Sequence, residues 1–319
     1  MIARRHLLAG SAALLATRAH AQTAMPAAGK RDWAAQVPTL RIGLLGGENE
    51  SDRLGRYDAY RKLLEETFAI PVRLFPAADY AGVIQAFGAK QIEISSMGAS
   101  GYAGAWLDTN GNVEPLVVAV ESDGGISYRS VLIVRADSGI TDLAGMKGKS
   151  LAWADPNSTS GYLIPNSEFK QGGIDTGSGK YFSRTGFGGG HEQAVVALLQ
   201  KQYDGAVTWA SGLGNPAEGY SRGNLHEMVK KKLLNPADIK VIWMSRPILN
   251  GPLTVRKDTP QSFRDDIAAF QMALPTTHPA IYAQVERGAG KGFQKVKHDD
   301  FQVFIDLRKD EAASRRQRG

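Results

Sequence analysis

Apolar and polar positions alternate along this chain at two periods, and the period switches repeatedly. Leu40-Arg-Ile-Gly-Leu-Leu45 reads as a strand, and Arg53 to Phe68 reads as a helix with Tyr60, Leu63 and Leu64 at helical spacing. Val72 to Phe75 is expected as a strand, Tyr80 to Phe87 as a helix with Val83, Ile84 and Phe87 on one side, and Ile92 to Ile94 as a strand. Further strands are expected over Val113–Val120, Ser130–Val134, Ser150–Trp153, Tyr181–Ser183, Asp204–Trp209 and Val241–Trp243. Helices are expected after Gly161 and over Glu192–Lys201. Beyond about residue 246 the pattern gives a strand, Pro252–Val255, and two helical stretches. Strands that alternate with helices imply largely parallel sheets covered on both faces. No period of 20–50 residues repeats, which excludes a solenoid.

Two such units fit the length of 319 residues. The expected division is lobe 1 over 38–130 plus 246–319 and lobe 2 over 131–245, each a sheet flanked by helices. The first 21 residues stand outside this fold. Arg4-Arg5, the apolar run Leu7 to Leu15 and Ala19-His20-Ala21 have the order of a secretory leader with cleavage after Ala21. Arg4-Arg5-His6-Leu7-Leu8 also resembles a twin-arginine export signal. The apolar run is too short to span a bilayer. Residues 22–37 read as a flexible linker.

Charge narrows the function classes. Arg4, Arg5 and Arg18 lie in the leader without an acidic residue, so removing those three cations takes the net +6 down to +3. The short basic stretches Lys230-Lys231-Lys232 and Arg315-Arg316-Gln317-Arg318 have no interleaved aromatics, so nucleic acid is not an expected partner. A mild positive excess suits a small anion. Absent cysteine removes disulfides and thiolate chemistry. The six histidines have no ligand spacing, so no metal or other cofactor is expected. Ser167-Glu-Phe-Lys170 matches S-x-x-K without the companion motifs of that enzyme class, and H-E-x-x-H and G-x-S-x-G are missing.

The densest chemistry lies in Ala154-Asp-Pro-Asn-Ser-Thr-Ser-Gly-Tyr-Leu-Ile-Pro165. Asp155-Pro156-Asn157 is a turn signal after a strand, and a helix follows. Ser158, Thr159 and Ser160 therefore stand at a helix start. Unpaired N–H groups and the positive end of the helix dipole suit a tetrahedral oxyanion there. A cap needs one of these hydroxyls, not three. Asp79-Tyr-Ala-Gly82 begins a helix after a strand, and Ser127-Tyr-Arg-Ser130 precedes a strand. Tyr80 and Tyr128 each offer a phenol O–H, although a lone Tyr is more often a packing residue. Gly186-Phe-Gly-Gly-Gly-His-Glu192 is neither G-x-G-x-x-G nor a Walker loop. His191 there either donates to an oxyanion or simply opens a helix.

Taken in order, Asp79-Tyr-Ala-Gly82 with Ile84-Gln85, Tyr128-Arg-Ser-Val-Leu-Ile-Val134, Asp155-Pro-Asn-Ser-Thr-Ser-Gly161 with Pro165, Gly190-His-Glu192 and Lys240-Val-Ile-Trp243 resemble the PhnD family, the periplasmic phosphonate-binding receptors of ABC importers. The resemblance spans about residues 40–275. It implies an α/β fold of the two-lobed, class II periplasmic binding protein type, each lobe a mixed sheet flanked by helices, with a ligand clamped between lobes. It implies a non-enzymatic, monomeric receptor that hands its ligand to ABC permease subunits. Carried over position by position, Tyr80, Tyr128, Ser158, Thr159, Ser160 and His191 would hold the phosphonate oxygens. Family receptors for aminoalkylphosphonates are expected to place carboxylates at the ligand's ammonium, but Ser211 and Gly251 stand at those positions here. Trp209, Ser211 and Asn250 are the expected lining of a tail pocket. The implied ligand is a phosphonate or a smaller oxyanion such as phosphite. The alternatives are a sulfonate or carboxylate receptor of the same fold, or a secreted phosphoesterase.

Overall fold

The computed structural model describes residues 24–288 and 290–316. The expected leader, residues 1–21, lies outside the described residues. Along the chain come β1 (Leu40–Leu44), α1 (Glu50–Phe68), β2 (Val72–Pro76), α2 (Tyr80–Gly88), β3 (Ile94–Ser96), α3 (Ala99–Asp108) and β4 (Val113–Val120). Next are β5 (Ser127–Arg135), β6 (Ser150–Trp153), α4 (Ile164–Gln171), β7 (Arg184–Phe187), α5 (His191–Leu199), β8 (Gly205–Ala210), α6 (Asn224–Lys230), β9 (Ile239–Met244) and β10 (Ile248–Leu249). The chain continues through β11 (Pro252–Arg256), α7 (Gln261–Thr277), α8 (Pro279–Val285), β12 (Gly292–Lys295) and α9 (Gln302–Arg316).

One six-stranded sheet has the order β12-β4-β11-β3-β1-β2, and the other runs β10-β5-β8-β6-β7 with β9 paired to β5. Both are mixed, as the family resemblance implies, rather than largely parallel as strand–helix alternation alone suggests. In the first, β2-β1-β3 is parallel and β11, β4 and β12 pair antiparallel. In the second, β7-β6-β8 is parallel while β8, β9 and β10 meet β5 antiparallel. β5 and β11, the strands that enter each sheet from the other lobe, pair antiparallel with their neighbours, which no local periodicity announces.

The chain crosses between lobes twice side by side. The first crossing leads from β4 into β5, and the second from β10 into β11. The expected boundary at 130/131 therefore falls inside β5, and the one at 245/246 just before β10. Asn250 ties the crossings together. Its backbone N–H donates to the Ile126 carbonyl at 2.8 Å, and its side-chain amide donates to the Ala119 carbonyl at 2.8 Å and to Glu121 Oε1 at 2.9 Å.

Lobe 1 has apolar layers on both sheet faces. α1, α7 and α8 bury Leu64, Phe68, Phe263 and Phe270 on one, and α2, α3 and α9 bury Phe87, Tyr102 and Phe301 on the other. In lobe 2, α5 and α6 cover one face and Trp153, Phe169 and Phe182 fill the other. Contrary to the linker expected over 22–37, Trp33 is only 2% exposed. Its ring packs edge-on against Phe263 and its Nε1 donates to Asp266 at 2.8 Å. Aromatic burial of this kind orders the segment.

Several elements depart from the expected pattern. α3 was not marked by periodicity because Ala99 to Ala105 are all buried, leaving no polar face, and two glycines lower its helix propensity. The strand expected over Tyr181–Ser183 forms at Arg184–Phe187, where it pairs with β6. In the tail the expected strand forms as β11, and α7, α8 and α9 with the short strands β10 and β12 stand where two helical stretches were expected.

Candidate functional site

The parallel strands of both lobes end at a common cleft, the place where open α/β sheets present their loops. β6 delivers Asp155-Pro156-Asn157. The Asp155 carbonyl accepts the Ser158 N–H at 3.0 Å, and Asp155 Oδ1 accepts the Asn157 N–H at 2.6 Å. This turn seats Ser158 as the cap of a π-type turn, Thr159–Leu163, that runs into α4. Ser158 Oγ accepts the Gly161 N–H at 3.0 Å. The N–H groups of Thr159 and Ser160 lie in the first turn, where no intrahelical acceptor exists. Ser130 Oγ on β5 donates to the Ser160 carbonyl at 2.6 Å and holds the turn from behind.

The glycine-rich stretch acts as a spacer rather than a phosphate loop. The N–H groups of Gly188 and Gly189 donate to the Trp153 and Ala154 carbonyls at 2.8 and 3.0 Å. That lays the loop along the end of β6 and starts α5 with His191 beside the serine turn. His191 Nε2 is 3.1 Å from Ser158 Oγ, and its Nδ1 is 3.4 Å from Thr208 Oγ1, which accepts the Asn224 amide at 3.0 Å. Burial, aided by the charge of Arg287, pushes His191 down to about 3. The imidazole is therefore neutral at neutral pH and has one N–H to donate. Burial pushes the Tyr80 and Tyr128 phenols up, so both remain O–H donors.

These expected residues converge. Tyr80, Tyr128, Ser158, Thr159, Ser160 and His191 line one cleft of about 180 Å³, and all are nearly buried. Tyr80 opens α2 in lobe 1, while Tyr128 sits at the first crossing, paired with Ile248. Trp209 and Asn250 also line the cleft, as does Gly251. Ser211 is not among the lining residues. Its Oγ is turned into the following loop, 2.9 Å from Ser221 Oγ and 3.3 Å from the Leu213 carbonyl. The expected tail pocket loses that member.

The lobes are in contact around this cleft. Thr159 Oγ1 accepts the Ser100 N–H at 2.8 Å across it. Gly47, at φ +95°, packs on Gly190 so closely that a Cβ on Gly47 would lie 2.8 Å from Gly190 Cα. Arg308 of α9 donates to Asn157 Oδ1 at 3.0 Å, and Glu311 accepts from Lys170 of α4 at 2.9 Å.

Charged residues that the sequence reading missed complete the walls. Arg222 of lobe 2 lines the cleft, donates through Nε to Glu121 Oε2 at 3.2 Å and through Nη1 to Glu286 Oε2 at 3.2 Å, and stacks 5.5 Å over Trp209. Burial pushes the Glu286 carboxyl up. Arg287 also lines the cleft and bonds Glu48 Oε1 at 2.8 Å. Glu48 also accepts a forked pair from Arg56. Burial would raise its carboxyl, but Arg287, Arg56 and Lys231 outweigh it and hold Glu48 at about 2. A buried carboxylate surrounded by several cations leaves positive potential for an anion. No cluster of three or more His, Asp or Glu able to hold a metal ion occurs among the described residues.

Comparison with known proteins gives the family and the fold. The model of a family described as ABC transporter, phosphonate, periplasmic substrate-binding protein matches residues 42–301. The chain is 32% identical over 257 residues to the phosphonates-binding periplasmic protein of Escherichia coli K12, covering 79% of this chain and 70% of that one. In fold it resembles a binding protein component of an ABC phosphonate transporter from Pseudomonas aeruginosa, with a TM-score of 0.73, 24% identity and 85% of each chain covered. It also resembles PhnD1 of Prochlorococcus marinus in complex with methylphosphonate, with a TM-score of 0.71, 17% identity, and 86% of this chain and 98% of that one covered.

Proposed function

The chain belongs to the family of periplasmic phosphonate-binding proteins of ABC transporters, and from that premise we propose that it captures a phosphonate or a small phosphorus oxyanion such as phosphite and delivers it to the permease of an ABC importer. One observation carries the reading. Five hydroxyl groups, a neutral imidazole and the first-turn N–H groups after Ser158 converge on one cleft between two lobes. Such a set donates hydrogen bonds from every side, which suits a tetrahedral oxyanion. Tyr80 approaches from lobe 1, Tyr128 from the crossing, and Ser158, Thr159, Ser160 and His191 from lobe 2. The lobes close on the ligand by motion at the two crossings.

The site is complete within one chain, so a monomer suffices. The leader read at residues 1–21 would place the receptor outside the cytoplasm, as the E. coli relative's name states for that protein. Among the described residues no helix is long and apolar enough to cross a membrane.

Ser158 and His191 have the spacing of a nucleophile and its base, the one feature that favours a phosphoesterase. A base needs a pKa near the working pH. His191 at about 3 has little drive to take the serine proton, and Thr208 rather than a carboxylate stands behind it. Binding without chemistry fits better. Thermal melts of the mature protein with methylphosphonate, phosphite, phosphate and a sulfonate test the reading. A ligand at 100 Kd adds about 2.7 kcal/mol to stability. If no phosphorus oxyanion shifts the melt, or if the sulfonate alone does, the proposal is wrong.

A further inference from the structure

We infer that the cleft continues past the oxyanion site into a tail subsite inside lobe 1, built for an uncharged organic substituent of several carbon atoms. This rests on the phosphorus-oxyanion reading of the head site.

The register of the first sheet supplies the floor. Leu253 of β11 pairs with Ser96 of β3 on one side and Val117 of β4 on the other. Phe293 of β12 pairs with Ala119 of β4. Paired residues present their side chains to the same face, and Val117 and Ala119 are two apart on one strand. Leu253, Val117, Ala119 and Phe293 thus form one apolar patch, and all line the cleft that also contains Ser158 and His191. Tyr57 of α1, Gln271 of α7 and Val285 of α8 roof it.

Three observations set the chemistry of the occupant. The first is room. Protein interiors are close-packed, yet here about 180 Å³ stays continuous from the oxyanion donors to this patch. A water takes about 30 Å³ of liquid volume, so phosphite or methylphosphonate leaves much of the space unfilled. The second is a buried polar group at the far end. Gln271 is 2% exposed, and its Oε1 accepts the Tyr60 hydroxyl at 2.9 Å. Gln271 is also one of the residues that line the cavity. Its carboxamide offers a hydrogen-bonding group to an ether, hydroxyl or carbonyl oxygen on the tail. The third is charge. Glu286 on the wall is already answered by Arg222, and Arg287 stands beside it. The charges of both signs on this wall are paired with each other, and the apolar patch offers no partner to a tail ammonium or carboxylate, so an uncharged tail is favoured.

Calorimetric titration of the mature protein with phosphite, methyl-, n-propyl-, n-pentyl- and 2-aminoethylphosphonate tests the subsite. Each methylene that enters it should tighten binding by about fourfold, with propylphosphonate ahead of the aminoethyl ligand of similar length. Affinity that is flat or falling beyond methylphosphonate overturns the subsite while leaving the oxyanion site intact. Tightest binding of the aminoethyl ligand overturns its uncharged character. Failure of every ligand, phosphite included, removes the oxyanion reading and the subsite with it. Ala119→Leu fills the patch and should bring the pentyl-to-methyl affinity ratio close to one. If near-ultraviolet circular dichroism shows that this variant has lost its fold, Val285→Phe fills the same space from α8, and an undiminished ratio in that variant counts against the subsite.

Discussion

Thr159 Oγ1 accepts the backbone N–H of Ser100 at 2.8 Å, and the two residues belong to opposite lobes. A hydroxyl that accepts from one side still has its own proton to donate. The same atom therefore bridges the lobes and, in the proposed function, would also face the ligand. Thr159→Ala removes both functions. Hydrogen bonds to a charged group contribute roughly 1.5–3 kcal/mol, so affinity for the phosphorus oxyanion should fall about ten- to a hundredfold. Thr159→Ser keeps the hydroxyl and should recover most of the loss. Calorimetry on the two folded variants checks this, and equal affinities for Ala and Ser would remove Thr159 from the site.

Closure should be sensitive to a single methyl group. Gly190 has extended backbone at φ 162°, which any residue adopts, so alanine there carries no backbone strain. Its Cβ would instead run into Gly47 of lobe 1. Overpacking costs about 1–3 kcal/mol, and here the cost falls on the closed form alone. Gly190→Ala should leave the thermal melt of the ligand-free protein nearly unchanged and weaken binding about tenfold or more. Small-angle scattering should show less compaction on adding ligand than in the parent protein. Full compaction with parental affinity would mean that the lobes do not need this contact.

Lys231 of lobe 2 lies 3.1 Å from Asp52 and 3.9 Å from Glu48, both in lobe 1, and 3.5 Å from Glu192 in its own lobe. The lysine is partly exposed, and Asp52 is half exposed. Such pairs contribute about 0.2–1 kcal/mol and are screened by salt. Lys231→Ala should weaken ligand binding by no more than about fivefold at low salt. The difference from the parent should vanish near 1 M salt, where the Debye length is about 3 Å. A difference that persists at high salt would show that Lys231 acts through packing instead.

Arg222 holds together charges that would otherwise be stranded. It is the partner of both Glu121, which is fully buried, and Glu286. Removing one member of a buried ionic cluster typically costs about 3–5 kcal/mol, because the remaining charges lose their compensation. Arg222→Met should lower stability by about that much in denaturant titration at pH 7. Adding Glu121→Gln should recover part of it. Additive losses in the double variant would contradict the coupling.

The convergence of the Ser158–Ser160 turn on the cleft was legible because its signal is local. Asp155-Pro156-Asn157 and three hydroxyl residues sit in one short turn, and a turn followed by a helix start has a chemical meaning without knowledge of the rest of the chain. Other residues of the cleft were not. Arg222, Glu286 and Arg287 are single charged residues on loops and helix ends, and Gln271 lies inside α7. Gln271, Glu286 and Arg287 reach the cleft because the chain returns to lobe 1 after β10, and Arg222 because the loop after β8 folds back onto Ser211. Ser211 illustrates the converse. Its position near the cleft end of β8 was readable, but the choice between facing the ligand and closing its own loop on Ser221 depends on a partner ten residues away. Alternation along the chain suggests largely parallel sheets, and only the family resemblance implies mixed ones. Strand direction in β11 and β12 is fixed by long-range return, not by alternation along the strand.

His191 makes a prediction about pH. Burial first, then the charge of Arg287, set its folded pKa at about 3. An unfolded histidine titrates near about 6.5. Above about pH 6.5 the imidazole is neutral in both states and favours neither. Below that, the unfolded chain takes up a proton that the folded protein refuses, so the unfolded state gains. Stability should therefore decline as pH falls from about 6.5 toward about 3, by up to roughly 1.4 kcal/mol per pH unit from this group. Glu48 acts in the same direction at lower pH. Its folded value of about 2 lies under an unfolded value of about 4.3, so its contribution is lost between those limits as pH falls. Replacing the imidazole separates the two. His191→Gln keeps a hydrogen-bonding side chain but cannot titrate, so its stability between pH 6.5 and 4.5 should fall less steeply than that of the parent, while the steeper loss below about pH 4.3 should remain. Denaturant titrations of both proteins at half-unit steps of pH measure the slopes. Identical slopes between pH 6.5 and 4.5 would show that His191 exchanges its proton freely in the folded state, and the neutral imidazole assigned to the oxyanion site would have to be given up.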